Sequence, residues 1–139
     1  MKCDFERTLS DGKTGFAEFM EVIEGHLESR DVPVDVVMKF MIAFDEVISN
    51  VINHGSLGGN PQITVRLAQD ENRVTAEVED NGVAFDPLSL ATPDTSLSVE
   101  DRAIGGLGIH LVRELMDSVD YLREGEFNRL RFAKTFLVG

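Results

Sequence analysis

With 139 residues, 42% of them hydrophobic, the chain has enough apolar surface to bury one core, and we expect a single domain. The 25 acidic and 13 basic residues give a formal net charge of -12, which repels phosphate backbones and anionic lipids and argues against nucleic-acid or membrane partners. One cysteine and three histidines do not suffice for an internal disulfide or a zinc cluster. No long apolar run and no apolar leader are present, so we expect a cytoplasmic protein.

The first part of the chain predicts a strand followed by two helices. Residues 2–9 indicate an edge strand, and a turn at residues 10–13 leads into a first helix. Asp31 and Pro33 end that helix and begin a second one over residues 33–55. The second helix carries an apolar stripe formed by Val37, Phe40, Met41, Phe44, Ile48 and Val51.

The second part predicts a hairpin, a long loop, a third helix and two further strands. Apolar and polar residues alternate over residues 61–67 and 74–78, as in paired strands. Residues 83–104 lack periodicity and form either a functional lid, which we favour, or a disordered segment. A helix over residues 105–117 and strands at 119–123 and 128–137 follow. We therefore expect an α+β, two-layer sandwich with helices on one face of a mostly antiparallel or mixed sheet.

Polar residues recur along the second helix at helical spacing. Glu46, Asn50 and His54 are four residues apart, and Asn53 lies between the last two, so we expect all four on one side, opposite the apolar stripe. A carboxylate there can accept a proton, and a carboxamide oxygen is a suitable Mg²⁺ ligand. Taken alone, this pattern is more typical of an ordinary solvated helix face.

The sequence Asp80-Asn81-Gly82 follows a predicted strand and is first of all a turn signal. An aspartate at a strand end can also accept a hydrogen bond from an exocyclic amino group such as that of adenine, and Gly82 allows a ligand to approach the backbone. Phe85 is placed to cover a flat base, although a lone aromatic residue after a turn more often belongs to the core.

A glycine cluster at residues 105–108 opens the third helix. The unpaired N–H groups and positive dipole of a helix start can bind a phosphate chain, whereas the alternative is a flexible hinge. The cluster is not a Walker A loop, because no Gly-Lys-Ser/Thr follows, and it is not a Rossmann turn, because it does not directly follow a strand.

In their order along the chain, Glu46-x3-Asn50-x3-His54, Asp80-x-Gly82 and the glycine cluster resemble the motifs of the GHKL ATPase superfamily. Residues 44–55 and 111–117 are similar to the bacterial anti-sigma-factor serine/threonine kinases, and the likeness covers nearly the whole chain. The resemblance implies a Bergerat-type ATP-binding fold. It also implies ATP and Mg²⁺ as cofactors.

The resemblance implies specific roles within this fold. Asn50 would coordinate Mg²⁺, Glu46 would act as general base, and Asp80 would bind the adenine amino group. The full ATP-binding set comprises Asn50, Asn53, His54, Asp80, Gly82, Ala84, Phe85, Gly105, Gly106, Leu107, Gly108, Ile109 and Asn128. Ala84 departs from the family, which usually has a glycine there, and implies a stiffer lid hinge.

Two functions follow from the resemblance. The first is a serine/threonine kinase that uses Mg-ATP to phosphorylate a small antagonist protein and thereby controls a sigma factor. The second is an ATP-gated protein-binding module without transfer activity. The expected partners are a sigma factor, an anti-anti-sigma-type protein or both, with a possible homodimer. A histidine kinase or a gyrase-like ATPase would need segments for which the chain has no room.

Overall fold

The computed structural model describes residues 2–54, 59–84, 86–89 and 106–137, without the side chains of His54, Ser89 and residues 106–108. Most of the predicted lid, including Phe85, and also Gly55 and Gly105 lie outside the described residues. The elements in chain order are β1 (Phe5–Leu9), α1 (Lys13–Ser29), α2 (Val34–His54), β2 (Ile63–Asp70), β3 (Arg73–Asp80), a 3-10 helix (Pro87–Ser89), α3 (Gly106–Leu115), β4 (Ser118–Glu124) and β5 (Phe127–Thr135).

The five strands form one sheet in the order β1-β2-β3-β5-β4, and every pairing between them is antiparallel. The α+β prediction is confirmed, and of its two sheet alternatives the antiparallel one is correct for the described strands. β1 lies at an edge as predicted but begins at Phe5 instead of Lys2. The Asp4 N–H still donates to the Leu67 carbonyl of β2 at 2.8 Å, and the Asp4 carboxylate accepts hydrogen bonds from the Gln69 N–H at 3.1 Å and from His26 at 3.2 Å.

The core lies between the sheet and the helices, which cover one of its faces. The alternating apolar residues of β2 and β3 point toward α2, which contacts both α1 and α3. At the centre, Phe132 of β5 packs against Phe40 and Phe44 of α2, with ring centroids 6.0 and 5.3 Å apart. Burying each ring stabilises the fold by about 1.5–3 kcal/mol. Because Phe132 pairs with Ala76, this packing fixes α2 against the middle of β3.

The helix boundaries agree with the prediction to within two residues. α2 spans Val34–His54 against the predicted 33–55, and α3 ends at Leu115 instead of Asp117. α3 stops early because Asp117 joins the sheet: its N–H donates to Ala133 and its carboxylate accepts from Thr135. Within the described part of the chain, no helix combines the length and apolar character needed to cross a membrane.

The sheet face away from the helices carries a network of ion pairs. Arg66 and Arg131 bind the two oxygens of Glu77 at 3.0 and 2.7 Å, and Arg129 binds Glu79 at 2.6 Å. Burial alone would raise the pKa of Glu79, but hydrogen bonds from Arg129 and Arg66 outweigh it and lower that pKa. The negative charges of these buried glutamates are therefore neutralised by ion pairs with arginines within the fold.

Candidate functional site

Glu46 and Asn50 lie one turn apart on α2 and contact each other. The Asn50 Nδ2 donates to Glu46 Oε1 at 3.0 Å, and both side chains are half-buried. Met38 and Ile42 precede the pair at the same four-residue spacing and are 60% and 44% exposed, so they share its side of the helix. Buried Ala43 and Val47 border the pair on the core side. The pair therefore lies on the side away from the centre of the apolar stripe, where its side chains are only partly covered.

This contact orients the amide of Asn50. With Nδ2 toward Glu46, Oδ1 points away, and no described residue donates a hydrogen bond to Asn50 Oδ1 or to Glu46 Oε2. An amide oxygen in this state can bind a hard cation, and the second carboxylate oxygen can accept a proton. Asn53 is exposed one turn further on, and the side chain of His54 lies outside the described part.

Asp80 ends β3 on the face that the helices cover, and it is only 6% exposed. Its Oδ1 accepts two hydrogen bonds, from the Gly82 N–H at 2.9 Å and from Asn128 Nδ2 at 3.0 Å. Among the described residues, none donates to its Oδ2. A buried acceptor without a donor is costly, so the arrangement suits a ligand that brings an N–H group to this atom.

Asn128 is next to Asp80 because β5 pairs with β3 in the register Asp80↔Asn128. Its Nδ2 also donates to the Val83 carbonyl at 2.8 Å. The structure thus brings together three of the residues singled out in the sequence, namely Asp80, Gly82 and Asn128. Gly82 is buried within this turn, while Ala84 after it is exposed.

Two further residues of this region were missed in the sequence analysis. The Tyr121 hydroxyl donates to Asn128 Oδ1 at 2.5 Å, and Arg123 Nη1 donates to the Gly82 carbonyl at 2.9 Å. Both lie on β4, where Arg123 pairs with Asn128 across the β4–β5 hairpin. The proximity of these residues follows from the strand register and not from hydrophobic periodicity. Aligning β4 and β5 as a hairpin centred on residues 125–126 would have predicted that Arg123 pairs with Asn128.

Asp80 has an unusual electrostatic environment for a carboxylate. Burial raises its pKa above the usual value, and the hydrogen bonds from Asn128 and Gly82 and the charge of Arg123 offset this only in part. The surrounding groups therefore do not fully offset the cost of burying the charged Asp80 carboxylate. Such groups are more common in binding sites than in structural ion pairs.

The start of α3 is described only in its backbone. Residues 106–108 are helical, so the first N–H groups have no acceptor within the helix and can bind an anion. Ile109, included in the predicted ATP-binding set, has a side chain that is 3% exposed and belongs to the core. Any ligand contact at Ile109 would therefore involve its backbone. Before α3, the 3-10 helix is held by Arg113, whose Nη2 donates to the Leu88 carbonyl at 3.0 Å.

Residues 12–134 match the model of the histidine kinase-like ATPase domain family. The chain belongs to this family. Among similar curated proteins, the serine/threonine-protein kinase BtrW of Bordetella bronchiseptica is 33% identical over 87 residues, covering 62% of this chain and 61% of BtrW. The serine-protein kinase RsbW of Bacillus cereus is 31% identical over 94 residues, covering 65% of this chain and 59% of RsbW. The matched segments thus span about three fifths of these relatives.

Solved structures of two histidine kinases share the fold of this chain. The histidine kinase domain of the blue-light activated kinase EL346 from Erythrobacter litoralis has a TM-score of 0.53 at 15% identity, covering 85% of this chain and 59% of that one. The histidine kinase AdeS of Acinetobacter baumannii has a TM-score of 0.51 at 10% identity, covering 97% and 68%. At these identities the likeness establishes the fold alone.

Proposed function

We propose that this chain binds Mg-ATP and transfers the terminal phosphoryl group to a serine or threonine hydroxyl of a protein partner. The observation that carries the proposal is the buried Asp80 carboxylate, whose Oδ2 has no donor among the described residues. Membership in a family of kinase-like ATPases supports it, as do the serine kinase names of the relatives. We further infer that the protein acts in the cytoplasm, where ATP is available.

The proposed adenine site consists of Asp80 and the turn that follows it. The Oδ1 of Asp80 is already occupied by two donors, which leaves Oδ2 as an acceptor for the exocyclic amino group of adenine. Guanine has a carbonyl oxygen at the same position and would face this carboxylate acceptor to acceptor. The polarity of Asp80 therefore favours ATP over GTP.

The proposed phosphate and metal site consists of Asn50 and the start of α3. Asn50 Oδ1 is an uncharged oxygen ligand of the kind Mg²⁺ accepts, and the described residues contain no cluster of three or more His, Cys, Asp or Glu that could replace it. The N–H groups around Gly106 and Gly108 would bind phosphate oxygens. Bound Mg-ATP would supply the phosphoryl group and neutralise part of its charge.

Glu46 is proposed as the general base. Its Oε2, which accepts no hydrogen bond from a described residue, would take the proton of the attacking hydroxyl as the new O–P bond forms and the bond to the ADP oxygen breaks. The hydrogen bond from Asn50 to Oε1 holds the carboxylate in place. Positioning and charge neutralisation are the main requirements of phosphoryl transfer.

The proposed partner is a small antagonist protein of the anti-anti-sigma type, with a sigma factor as the regulated protein. The RsbW and BtrW relatives motivate this assignment. A second candidate function is an ATP-gated binding module without transfer. Ala84, which is exposed after the Asp80 turn, motivates this alternative, because alanine in place of the family's usual glycine implies a stiffer lid hinge.

A transfer assay with γ-labelled ATP and candidate antagonist proteins tests the kinase proposal. Glu46→Gln keeps the contact with Asn50 but removes the base, so we expect unchanged ATP affinity and a fall in transfer of about 10²-fold or more. Asp45→Asn is the matched control, because Asp45 is the neighbouring exposed carboxylate and, among the described residues, accepts a hydrogen bond only from Ser49. Tight ATP binding without transfer by the wild type would instead support the binding module.

A further inference from the structure

The turn after β3 is held by the tip of the β4–β5 hairpin. Asn128 Nδ2 donates to Asp80 Oδ1 at 3.0 Å and to the Val83 carbonyl at 2.8 Å, and Arg123 Nη1 donates to the Gly82 carbonyl at 2.9 Å. On the other flank, the Gln62 N–H donates to Asn81 Oδ1 at 2.9 Å. The turn is thus fixed on both flanks, by the β4–β5 hairpin and by the residue that precedes β2.

The Tyr121 hydroxyl supports the orientation of the Asn128 amide. The Tyr121 hydroxyl donates to Asn128 Oδ1 at 2.5 Å, so the amide carbonyl faces β4 and the amide nitrogen faces Asp80. Asp80 Oδ1 and the Val83 carbonyl can only accept, so they require the amide nitrogen on their side. The Tyr121 hydroxyl donates to the amide oxygen on the other side and so holds the amide in the orientation that satisfies Asp80 Oδ1.

We propose that Tyr121 and Arg123 are positioning residues for adenine recognition, Tyr121 acting through Asn128 and Arg123 through the Gly82 carbonyl. The inference rests on the proposed role of Asp80 in binding the adenine amino group. With Oδ1 held by Asn128 and Gly82, the carboxylate cannot rotate without breaking two buried hydrogen bonds. Oδ2 is thereby kept in one position as the acceptor for the ligand.

The test compares ATP with purine riboside triphosphate, which lacks the exocyclic amino group, in Mg²⁺-containing calorimetry. We expect Tyr121→Phe, which keeps the ring, to weaken ATP binding about fivefold, the effect of one hydrogen bond. Binding of the amine-free analogue should be unchanged. A role in packing alone would weaken both ligands equally, and that result would overturn the proposal.

A double-mutant cycle tests whether Tyr121 acts through Asn128. In an Asn128→Ala background, adding Tyr121→Phe should change ATP affinity by less than about twofold, because the intermediary is already lost. A full additional loss would contradict the proposed path. Arg123→Gln should reduce ATP affinity more than analogue affinity, with Arg123→Lys as a second variant that keeps the charge. An equal loss of both ligands in these Arg123 variants would overturn that part of the proposal.

Matched controls come from β1, at the far edge of the sheet. Thr8→Val removes a hydroxyl that bonds Thr64 at 2.9 Å, and Arg7→Gln removes an exposed arginine; neither should alter the preference for ATP. If the wild type itself binds ATP no better than the analogue, the role of Asp80 fails. If the wild type prefers ATP and Tyr121→Phe keeps that preference in full, only the positioning proposal fails.

Discussion

Two adjacent carboxylates at the end of β3 have pKa values that are shifted in opposite directions. Glu79 and Asp80 are 8% and 6% exposed, but they point to opposite faces of the sheet. Glu79 is bound by Arg129 and Arg66, and its pKa is lowered although burial opposes this. Asp80 has no direct ion pair among the described residues, and burial raises its pKa. The first carboxylate stabilises the fold, and the second is the one that we propose as a ligand-binding group.

Asp80→Asn should therefore separate stability from binding. Because the folded-state pKa of Asp80 is raised above 3.8, the folded protein binds this proton more tightly, and the ionised group destabilises the fold at neutral pH. Asparagine retains an oxygen for Gly82 and Asn128 without the charge. We expect the nucleotide-free variant to melt at the same or a higher temperature than the wild type. A melting temperature several degrees lower would contradict this account.

At the level of elements, the ion pairs on the outer face of the sheet should make the free energy of unfolding depend on pH in the opposite sense to Asp80. The lowered pKa of Glu79 means that its stabilisation is present above its usual value of 4.5 and is lost as the pH falls through the folded-state pKa. Glu79→Gln leaves Arg129 and Arg66 without this partner and should cost about 1–3 kcal/mol near neutral pH.

Denaturant unfolding from pH 3 to 7 measures this effect, with Glu126→Gln as the control because Glu126 is exposed. The difference in free energy of unfolding between wild type and Glu79→Gln should become smaller as the pH falls to about 3. A constant difference would mean that the ion pairs do not titrate as described. ATP binding should be unaffected, because Glu79 lies on the face opposite Asp80.

The sequence predicted elements better than it predicted contacts between them. Hydrophobic periodicity was sufficient for α2 and for the β2–β3 hairpin, since each period depends only on local residues. The partial burial of Glu46 was not predicted, because the apolar stripe drawn from the sequence did not include Ala43 and Val47, which are also buried. Tyr121 and Arg123 were missed because their proximity to the Asp80 turn arises from pairing between β3, β5 and β4. Register is a tertiary property that periodicity does not contain.

On the scale of the whole molecule, the acidic residues behind the formal net charge of -12 are not all in the same environment. The glutamates of the outer sheet face are paired with arginines, whereas α1 carries four exposed glutamates, namely Glu18, Glu21, Glu24 and Glu28. An acidic helix favours encounter with basic protein surfaces and repels nucleic acid. This distribution supports the proposal of a protein partner. In the same proposal, the nucleotide binds elsewhere, at the Asp80 turn and the Glu46–Asn50 pair.

The central claim is that Asp80 and Asn50 together bind Mg-ATP, and calorimetric titration tests it most directly. Wild type, Asp80→Asn, Asn50→Ala and the control Asp45→Asn would be titrated with ATP in the presence and absence of Mg²⁺. We predict Mg²⁺-dependent binding by the wild type and the control, a loss of at least about tenfold in Asp80→Asn, and loss of the Mg²⁺ dependence in Asn50→Ala. Absence of binding by the wild type, or undiminished binding by Asp80→Asn, would contradict the account.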